Sequence, residues 1–391
     1  MGTSRIAAAT AHVSPVGDVR VAPFRLGRAA DTAASAAFVT EGELVFGDAA
    51  DRRGLTNPGR LLRGFVRRIG DDVPFLVGDR RVRADELFAR VISWVVDAVT
   101  ERQGTAPAAL AVTAPQAWGS YRHELIAASL VREGWPHVDV LPVAEAAARH
   151  YETTHPLPAD HAIAVYDLGG GTFDAVVVRK DRDDRVATVG EPTSFDDFGG
   201  SHFDDAVFQH VITAAGVETH MLGEGSMLGL KALRRECTDA KEALSFDSET
   251  TIPVLVEGHH VSVRLTRAEF EAMIEPGVVR TVEALTRSLE GSGLDVEDVD
   301  AILMIGGSSR IPRITQLLSE RLDRPLAVDV DPKAAAVLGA AHRTAELRLR
   351  GDSSQVVDTG TDSRPVEEPP PAPAAAPASR WRWFRHTPAL T

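Results

Sequence analysis

The stretch Ala162 to Lys180, AIAVYDLGGGTFDAVVVRK, constrains this chain more than any other. It reads as a strand, a glycine turn and a returning strand. Ala162 to Leu168 is a short apolar run carrying Asp167 near its end, and Ala175 to Val178 is a second. Gly169, Gly170 and Gly171 join them without a side chain, and Thr172 and Asp174 follow. A glycine triplet permits positive φ and lets amides approach a ligand closely. Successive amides pointing one way form a concave anion site. A carboxylate on each side of such a turn orients water or a divalent ion beside a phosphate. A glycine run alone is equally a tight structural hairpin, so the rest of the chain must decide.

Composition narrows the choices. The 391 residues suggest two or three domains, and 44% apolar with 25% charged content is ordinary for a globular chain able to bury a sizeable core. A net charge of −14 argues against general capture of nucleic acid or an anionic membrane. Cys237 is the single cysteine, which excludes an intrachain disulfide and a cysteine-based metal site. No apolar run has the length of a membrane span and no signal-type hydrophobic region opens the chain. The expectation is a reducing, cytoplasmic setting.

Along the chain, residues 1 to about 75 read as short apolar runs separated by polar turns. Strands are expected over Arg5 to Val13, Val19 to Phe24, Ala34 to Thr40 and Glu43 to Phe46. Apolar positions at 87, 88, 91, 92, 95, 96 and 99 predict a helix from Ala84 to Glu101. Leu110 to Thr113 and Val138 to Leu141 read as strands, and Tyr121 to Glu133 and Ala144 to Tyr151 as helices. His155 to Asp160, with two prolines, reads as a hinge. Asp196 to Gly200 is a second glycine turn, followed by helices from Phe203 to Ala215 and Met227 to Phe246. Glu257-Gly258 turns a second hairpin, and Thr266 with Glu269 is a capping box for a helix to Leu289. Val299 to Ile305 leads into Gly306-Gly307-Ser308-Ser309, with helices after Pro312 and from Lys333 to Leu347. From about 350 to 391 the chain is rich in proline and alanine and reads as a disordered tail. Its end, Arg380-Trp381-Arg382-Trp383-Phe384-Arg385, suits a membrane interface, a partner groove or a solvated terminus.

Six motifs in unbroken order resemble the nucleotide-binding domain of the DnaK-like seventy-kilodalton heat-shock chaperones. VYDLGGGTFD at 165–174 is similar to that family's second phosphate loop, and ILMIGGSSRIPRI at 302–314 to its adenosine loop. LRRECTDAKEALS at 233–245 resembles the helix over base and ribose. AVTAPQAW at 111–118, FGGSHFDDAV at 198–207 and DPKAAAVLGAA at 331–341 resemble further segments of the same fold. The resemblance implies an α/β, two-lobed, actin-like ATPase fold with ribonuclease-H-like lobes. Residues 1–157 with 334–347 would form lobe I, and 158–333 lobe II. It implies ATP or ADP with Mg2+ as cofactors, and nucleotide together with a protein partner or client as partners. Asp167, Thr172 and Thr3 would serve catalysis, with Asp167 holding the metal through water. Gly2, Gly169, Gly170, Gly171, Asp174, Gly199, Gly200, Lys241, Ser245, Gly306, Gly307, Ser308 and Arg310 would contact the nucleotide. Lys241 and Ser245, four apart, would share a helix face, and Arg310 would stack on the purine. By itself Lys241 reads as a solvated helix lysine.

The chain departs from the family pattern in three places. Gly2, Thr3 and Ser4 fall on the second half of the family's first phosphate loop, so its preceding strand and aspartate are missing. Either Met1 is not the natural start, the favoured reading, or the chain is truncated. The family's catalytic lysine aligns with Val66, beside Arg67, and its hinge-side glutamate with Val143, two positions before Glu145. Thr238 and Glu242 replace the family's glutamate and second basic residue on the base-covering helix. No strand-rich region follows residue 350, so peptide clamping by this chain alone is not expected. The combined expectation is a nucleotide binder with slow or absent hydrolysis. A scaffold without turnover and a small-molecule kinase of the same fold are the alternatives.

Overall fold

The computed structural model describes residues 1–27, 30–218, 226–256, 259–328, 331–332 and 334–351. The Glu257-Gly258 turn, Lys333, and the tail from 352 with its Trp/Arg cluster lie outside the described residues. The described residues fall in one compact unit, and the architecture below is that of this unit.

The first half is built from short pieces. They are β1 (Arg5–Ile6), β2 (Ala8–Val13), β3 (Val19–Phe24), β4 (Ala33–Ala34), β5 (Ala36–Val39), β6 (Leu44–Phe46), α1 (Gly47–Thr56), β7 (Leu61–Arg63), β8 (Phe75–Val77) and β9 (Arg80–Val82). Then come α2 (Ala84–Gln103), β10 (Leu110–Ala114), α3 (Ser120–Arg132), β11 (Val138–Pro142) and α4 (Val143–Glu152). Among the described residues these strands form no continuous sheet. β2 pairs only with β3 and β10 only with β11, in parallel, while β5 takes β6 and β7 as neighbours. Cohesion comes instead from α2, whose stripe Leu87, Phe88, Val91, Ile92, Val95 and Val96 packs with Phe65, Ile69, Ile126 and Leu130. Buried Asp85 ties α2 to α3 by accepting from Ser129 Oγ at 3.0 Å and Arg132 Nη2 at 3.1 Å. Burial acts to raise its pKa, but the Ser129 hydrogen bond and Arg83, whose Nε donates to Oδ1 at 3.0 Å, outweigh it and hold the carboxyl below the usual carboxylate range.

The second half contains one large sheet. β12 (Ala162–Leu168), β13 (Phe173–Lys180) and β14 (Val186–Phe195) come first, then α5 (Gly200–Ala214), α6 (Met227–Ala243), β15 (Glu249–Val256), β16 (His259–Thr266) and α7 (Arg267–Ser292). β17 (Val299–Ile305), α8 (Pro312–Leu322), β18 (Leu326–Val328) and α9 (Ala335–Leu349) complete it. The sheet order is β14-β13-β12-β17-β18, with β17 parallel to both neighbours. Alternation along β12 and β13 feeds two cores. Ala164, Tyr166, Leu168, Phe173, Ala175 and Val177 face one, and Ile163, Val165, Val176 and Val178 face the other. Burial on both faces explains the unbroken apolar runs, since helices cover both sides. α7 covers the first face, pinned by Tyr166 Oη to Thr281 Oγ1 at 2.6 Å and by Ser288 Oγ donating to the Ala175 carbonyl at 3.0 Å. α4 and α9 cover the second and cross so closely that a Cβ on Gly339 would run into the Ala146 carbonyl. The capping box starts α7 as expected, with Thr266 N donating to Glu269 Oε2 at 2.9 Å.

Several elements differ from expectation. The helix α1 stands where turns were expected, because its buried positions are Gly47, Ala50 and Gly54. Small residues make that stripe invisible to an apolar count. β18 is a further strand, only three residues long. The expected strand from Arg5 breaks at Ala7. α5 begins at Gly200 rather than Phe203, and α6 ends at Ala243 with residues 244–246 in a turn. Among the described residues no helix is long and apolar enough to cross a membrane.

Candidate functional site

A cavity of about 870 Å³ opens between the first half and the large sheet. Its lining includes Gly2, Thr3, Asp167, Gly169, Gly170, Thr172, Asp174, Gly200, Lys241, Ser245, Gly306, Gly307 and Ser308, gathered from elements far apart in the sequence. Gly171, Gly199 and Arg310 are not among the lining residues. Arg310 instead lies 3.8 Å from Asp331.

The glycine turns meet at one atom. The Gly169 carbonyl accepts from Gly200 N at 3.0 Å and from Ser308 Oγ at 2.9 Å, so the hairpin turn, the start of α5 and the turn after β17 share a hub. Ser201 N donates to the Gly170 carbonyl at 2.7 Å. These contacts leave no room for side chains. A Cβ on Gly170 would collide with Ser4, and one on Gly199 would stand 2.7 Å from Gly171 N. Gly306, at φ 81°, lies against the Leu168 carbonyl and would set a Cβ 2.6 Å from Asp167 Oδ1. The first two amides of α5 are therefore consumed. No backbone carbonyl among the described residues accepts from the N–H groups of Gly170, Gly171 or Thr172. Gly170 and Thr172 also line the cavity, so donors without backbone partners stand at its wall, and successive amides pointing one way would seat an anion.

Two carboxylates stand beside that seat. Asp167 and Asp174 are direct cross-strand partners in the β12–β13 ladder. They continue the face of Val165 and Val176 to the point where the apolar core ends and the cavity begins. Asp167 lines the cavity, and desolvation followed by Asp174 pushes its pKa up to about 7. Burial likewise raises Asp174 to about 6, although Ser194 Oγ donates to its Oδ1 and opposes the shift. Among the described residues no cluster of three or more His, Cys, Asp or Glu side chains is preformed for a metal. The pair fits a hydrated Mg2+, which uses one or two carboxylates with waters and phosphate oxygens rather than an all-protein cage.

The α6 wall is held to the start of α5 by a buried lysine. Lys241 is 8% exposed, donating from Nζ to the Gly200 carbonyl at 3.1 Å and forming an ion pair with Asp204 Oδ1 at 2.9 Å. It is a buried clamp between α6 and the start of α5, not a solvated lysine. Burial pushes Asp204 up, and the Lys241 ammonium offsets part of that. Ser245 reaches the cavity from the turn after the helix rather than from its face.

Val143 and Val66, the positions expected to stand in place of the family's glutamate and lysine, both lie at the site. Val143 lines the cavity and Val66 lines a smaller chamber beside it. Glu145 turns away, with Oε1 3.4 Å from both Thr188 N and Thr188 Oγ1 on β14. Sequence reading missed Ser4, Ser201, Asp204 and Pro332. Ser201 and Pro332 act through backbone atoms, which leave no side-chain signal, Pro332 by accepting from Gly306 N at 3.1 Å. Asp204 becomes recognisable only beside its partner Lys241.

Fold and site together define a mixed α/β unit whose glycine turns converge on a cavity suited to a phosphorylated ligand. A sequence profile described as "Hsp70 protein" matches residues 142–359, more than half of the chain. A chaperone protein HscA homolog of Pseudomonas fluorescens is 38% identical over 185 residues, covering 47% of this chain and 28% of that protein. The corresponding HscA homolog of Azotobacter vinelandii is 36% identical over 195 residues, 49% of this chain and 30% of that protein. The chaperone protein DnaK of Halobacterium salinarum is 26% identical over 334 residues, 84% of this chain and 52% of that protein. This chain belongs to the Hsp70 family. It spans about half the length, or less, of the curated relatives it matches.

Proposed function

We propose that the cavity binds ATP or ADP with Mg2+, and that hydrolysis there is slow or absent. The observation carrying the binding half is the seat of backbone donors at Gly170, Gly171 and Thr172 beside the Asp167–Asp174 pair. Phosphate oxygens would take the amides, and the divalent ion would supply the positive charge that two facing carboxylates call for. Lys241, Ser245, Gly306 and Gly307 would then border the nucleoside. We read residues 1–157 with 334–347 as one lobe and 158–333 as the other. Membership of the Hsp70 family supports this division, as do the separate cores around α2 and under α7, while α4 and α9 pack across it onto the large sheet.

Slow hydrolysis rests on Val66 and Val143. Phosphoryl transfer depends on positioning and charge stabilisation, and losing one donor to the transferring group typically costs on the order of a hundredfold in rate. A valine supplies neither a hydrogen bond nor charge. The same two residues favour a second reading, a non-hydrolysing module that reports its nucleotide state to a protein partner. We infer a cytoplasmic setting, with which the free, buried thiol of Cys237 is compatible.

A thermal-shift titration with MgADP tests binding. A ligand at one hundred times its dissociation constant stabilises the native state by about 2.7 kcal/mol. A flat response would refute the proposal. Single-turnover mixing with ATP tests the second half. Cleavage at rates usual for the family, unaffected by Asp167→Asn, would rule out the slow-hydrolysis assignment.

A further inference from the structure

The cavity has a second end, away from the glycine turns, where α1 and α6 approach each other. Lys241, clamped to Gly200, marks the end beside the turns. Towards the start of α6, Arg235 stands about 9 Å and Lys231 about 15 Å further along the helix axis, at a rise of 1.5 Å per residue. Both line the cavity. Arg63 lines it from β7, in the first half of the chain, beside Pro58 and Leu61.

This end gathers positive charge in a chain whose net charge is −14. Lys231 and Arg235 are one helical turn apart, the spacing at which like charges repel. Partial burial, and then the charge of Arg235, pull the Arg63 guanidinium below its usual range. The acids of the wall do not cancel this charge. Asp51 is ion-paired with Arg63. Asp239 and Glu242 line α6 nearer to Lys241 and form no ion pair with Lys231 or Arg235. Neighbouring Arg234 is taken by Asp205 at 2.6 Å and by the ring of Phe208 at 4.1 Å. Lys231 and Arg235 make no side-chain hydrogen bond or ion pair with any described residue. Three cations on two walls, with one carboxylate paired among them, are arranged to be bridged by an anion. Guanidinium forks match phosphoryl oxygens. Lys231 and Arg235 leave the helix about 6 Å apart, so two joined phosphoryl groups suit them better than one.

We propose that this end of the cavity is a second anion site, in which Arg63 from one wall and Arg235 with Lys231 from the other hold a free anion of the pyrophosphate class while a nucleotide occupies the glycine turns. The proposal goes beyond the nucleotide reading above and rests on it only for what fills the other end. The anion replaces repulsion between Arg63 and Arg235 by attraction of both to one ligand, and so ties β7 to α6.

The test is calorimetric titration of pyrophosphate, in excess Mg2+, into wild type, Arg235→Ala, Arg235→Glu and Lys231→Ala. Each protein is first saturated with the Mg complex of a non-hydrolysable ATP analogue, which fills the glycine turns. One pyrophosphate per chain is expected for the wild type, weakened about tenfold by either alanine variant and about a hundredfold by Arg235→Glu. Affinity for the analogue itself should change less than twofold. Arg235→Glu exchanges repulsion of Arg63 for attraction, so the melting temperature of the unliganded protein should rise, whereas a fold defect would lower it and leave Lys231→Ala to carry the test. No pyrophosphate bound by the loaded wild type, or equal affinity in wild type and all variants, would overturn the proposal while leaving nucleotide binding intact. Pyrophosphate that binds only the unloaded protein and is displaced by the analogue would place it at the glycine turns and overturn the proposal as well. A wild type that does not bind the analogue would remove the nucleotide reading alone. Titration of the unloaded proteins then decides: weakening by Arg235→Glu supports the site, and unchanged affinity overturns it.

Discussion

Asp167 and Asp174 face each other across the β12–β13 ladder, one residue pair inside the glycine turn. Like charges directly opposite are destabilising in a sheet, and burial compounds the cost. The pair lowers that cost by taking up protons, which is why Asp167 is raised to about 7 and Asp174 to about 6.

Both carboxyls have folded-state pKa values above their unfolded values near 4. Their contribution to apo stability is therefore fully present below about pH 4 and is lost as pH rises toward about 7. The apo melting temperature is expected to fall between pH 5 and 8 by an amount that Asp167→Asn reduces. MgADP affinity should run the other way and increase over the same interval, because the ion requires the ionised pair. Melting curves and titrations at pH 5.5, 6.5 and 7.5 check both signs.

Gly306→Ala should be strongly destabilising, by roughly 2–4 kcal/mol, because it combines positive φ with collision against the Leu168 backbone and Asp167. Gly17→Ala is the control. It shares positive φ, at 92°, but has open space around it, and should cost only about 1 kcal/mol. Denaturant unfolding of the two variants separates the backbone term from the collision.

Lys241→Met would leave Asp204 buried without its partner, and breaking such a pair costs about 3 kcal/mol. The double variant with Asp204→Asn should recover most of that loss. Equal instability of single and double variants would show that Lys241 does not act through Asp204.

The proposed slow hydrolysis predicts a gain of rate when the two side chains are supplied. Val143 borders the cavity, so Val143→Glu together with Val66→Lys restores both absent side-chain types. Single-turnover ATP cleavage is expected to rise at least tenfold, while MgADP affinity changes little.

Much of this was legible in the sequence because the site is made of turns. The Gly169–Gly171 triplet, Gly199-Gly200 and Gly306-Gly307 are recognisable as letters, and their convergence on the Gly169 carbonyl follows from the order of strands around them. The large sheet was readable from apolar runs buried on both faces. In the first half the strands β2, β3, β5, β6, β10 and β11 and the helices α2, α3 and α4 were readable, but α1 was not, because it buries only glycine and alanine and shows no apolar period. Lys241 could not be separated from a surface lysine, because its partners Gly200 and Asp204 lie about forty residues earlier.

Titration of MgADP into the wild-type protein and into Gly170→Ala is the most direct test. A Cβ at Gly170 would press on Ser4 and distort the seat of amides. One saturable site per chain is predicted for the wild type, weakened at least tenfold by the substitution. No binding by the wild type, or equal binding by the two proteins, would contradict a phosphate seat at this turn.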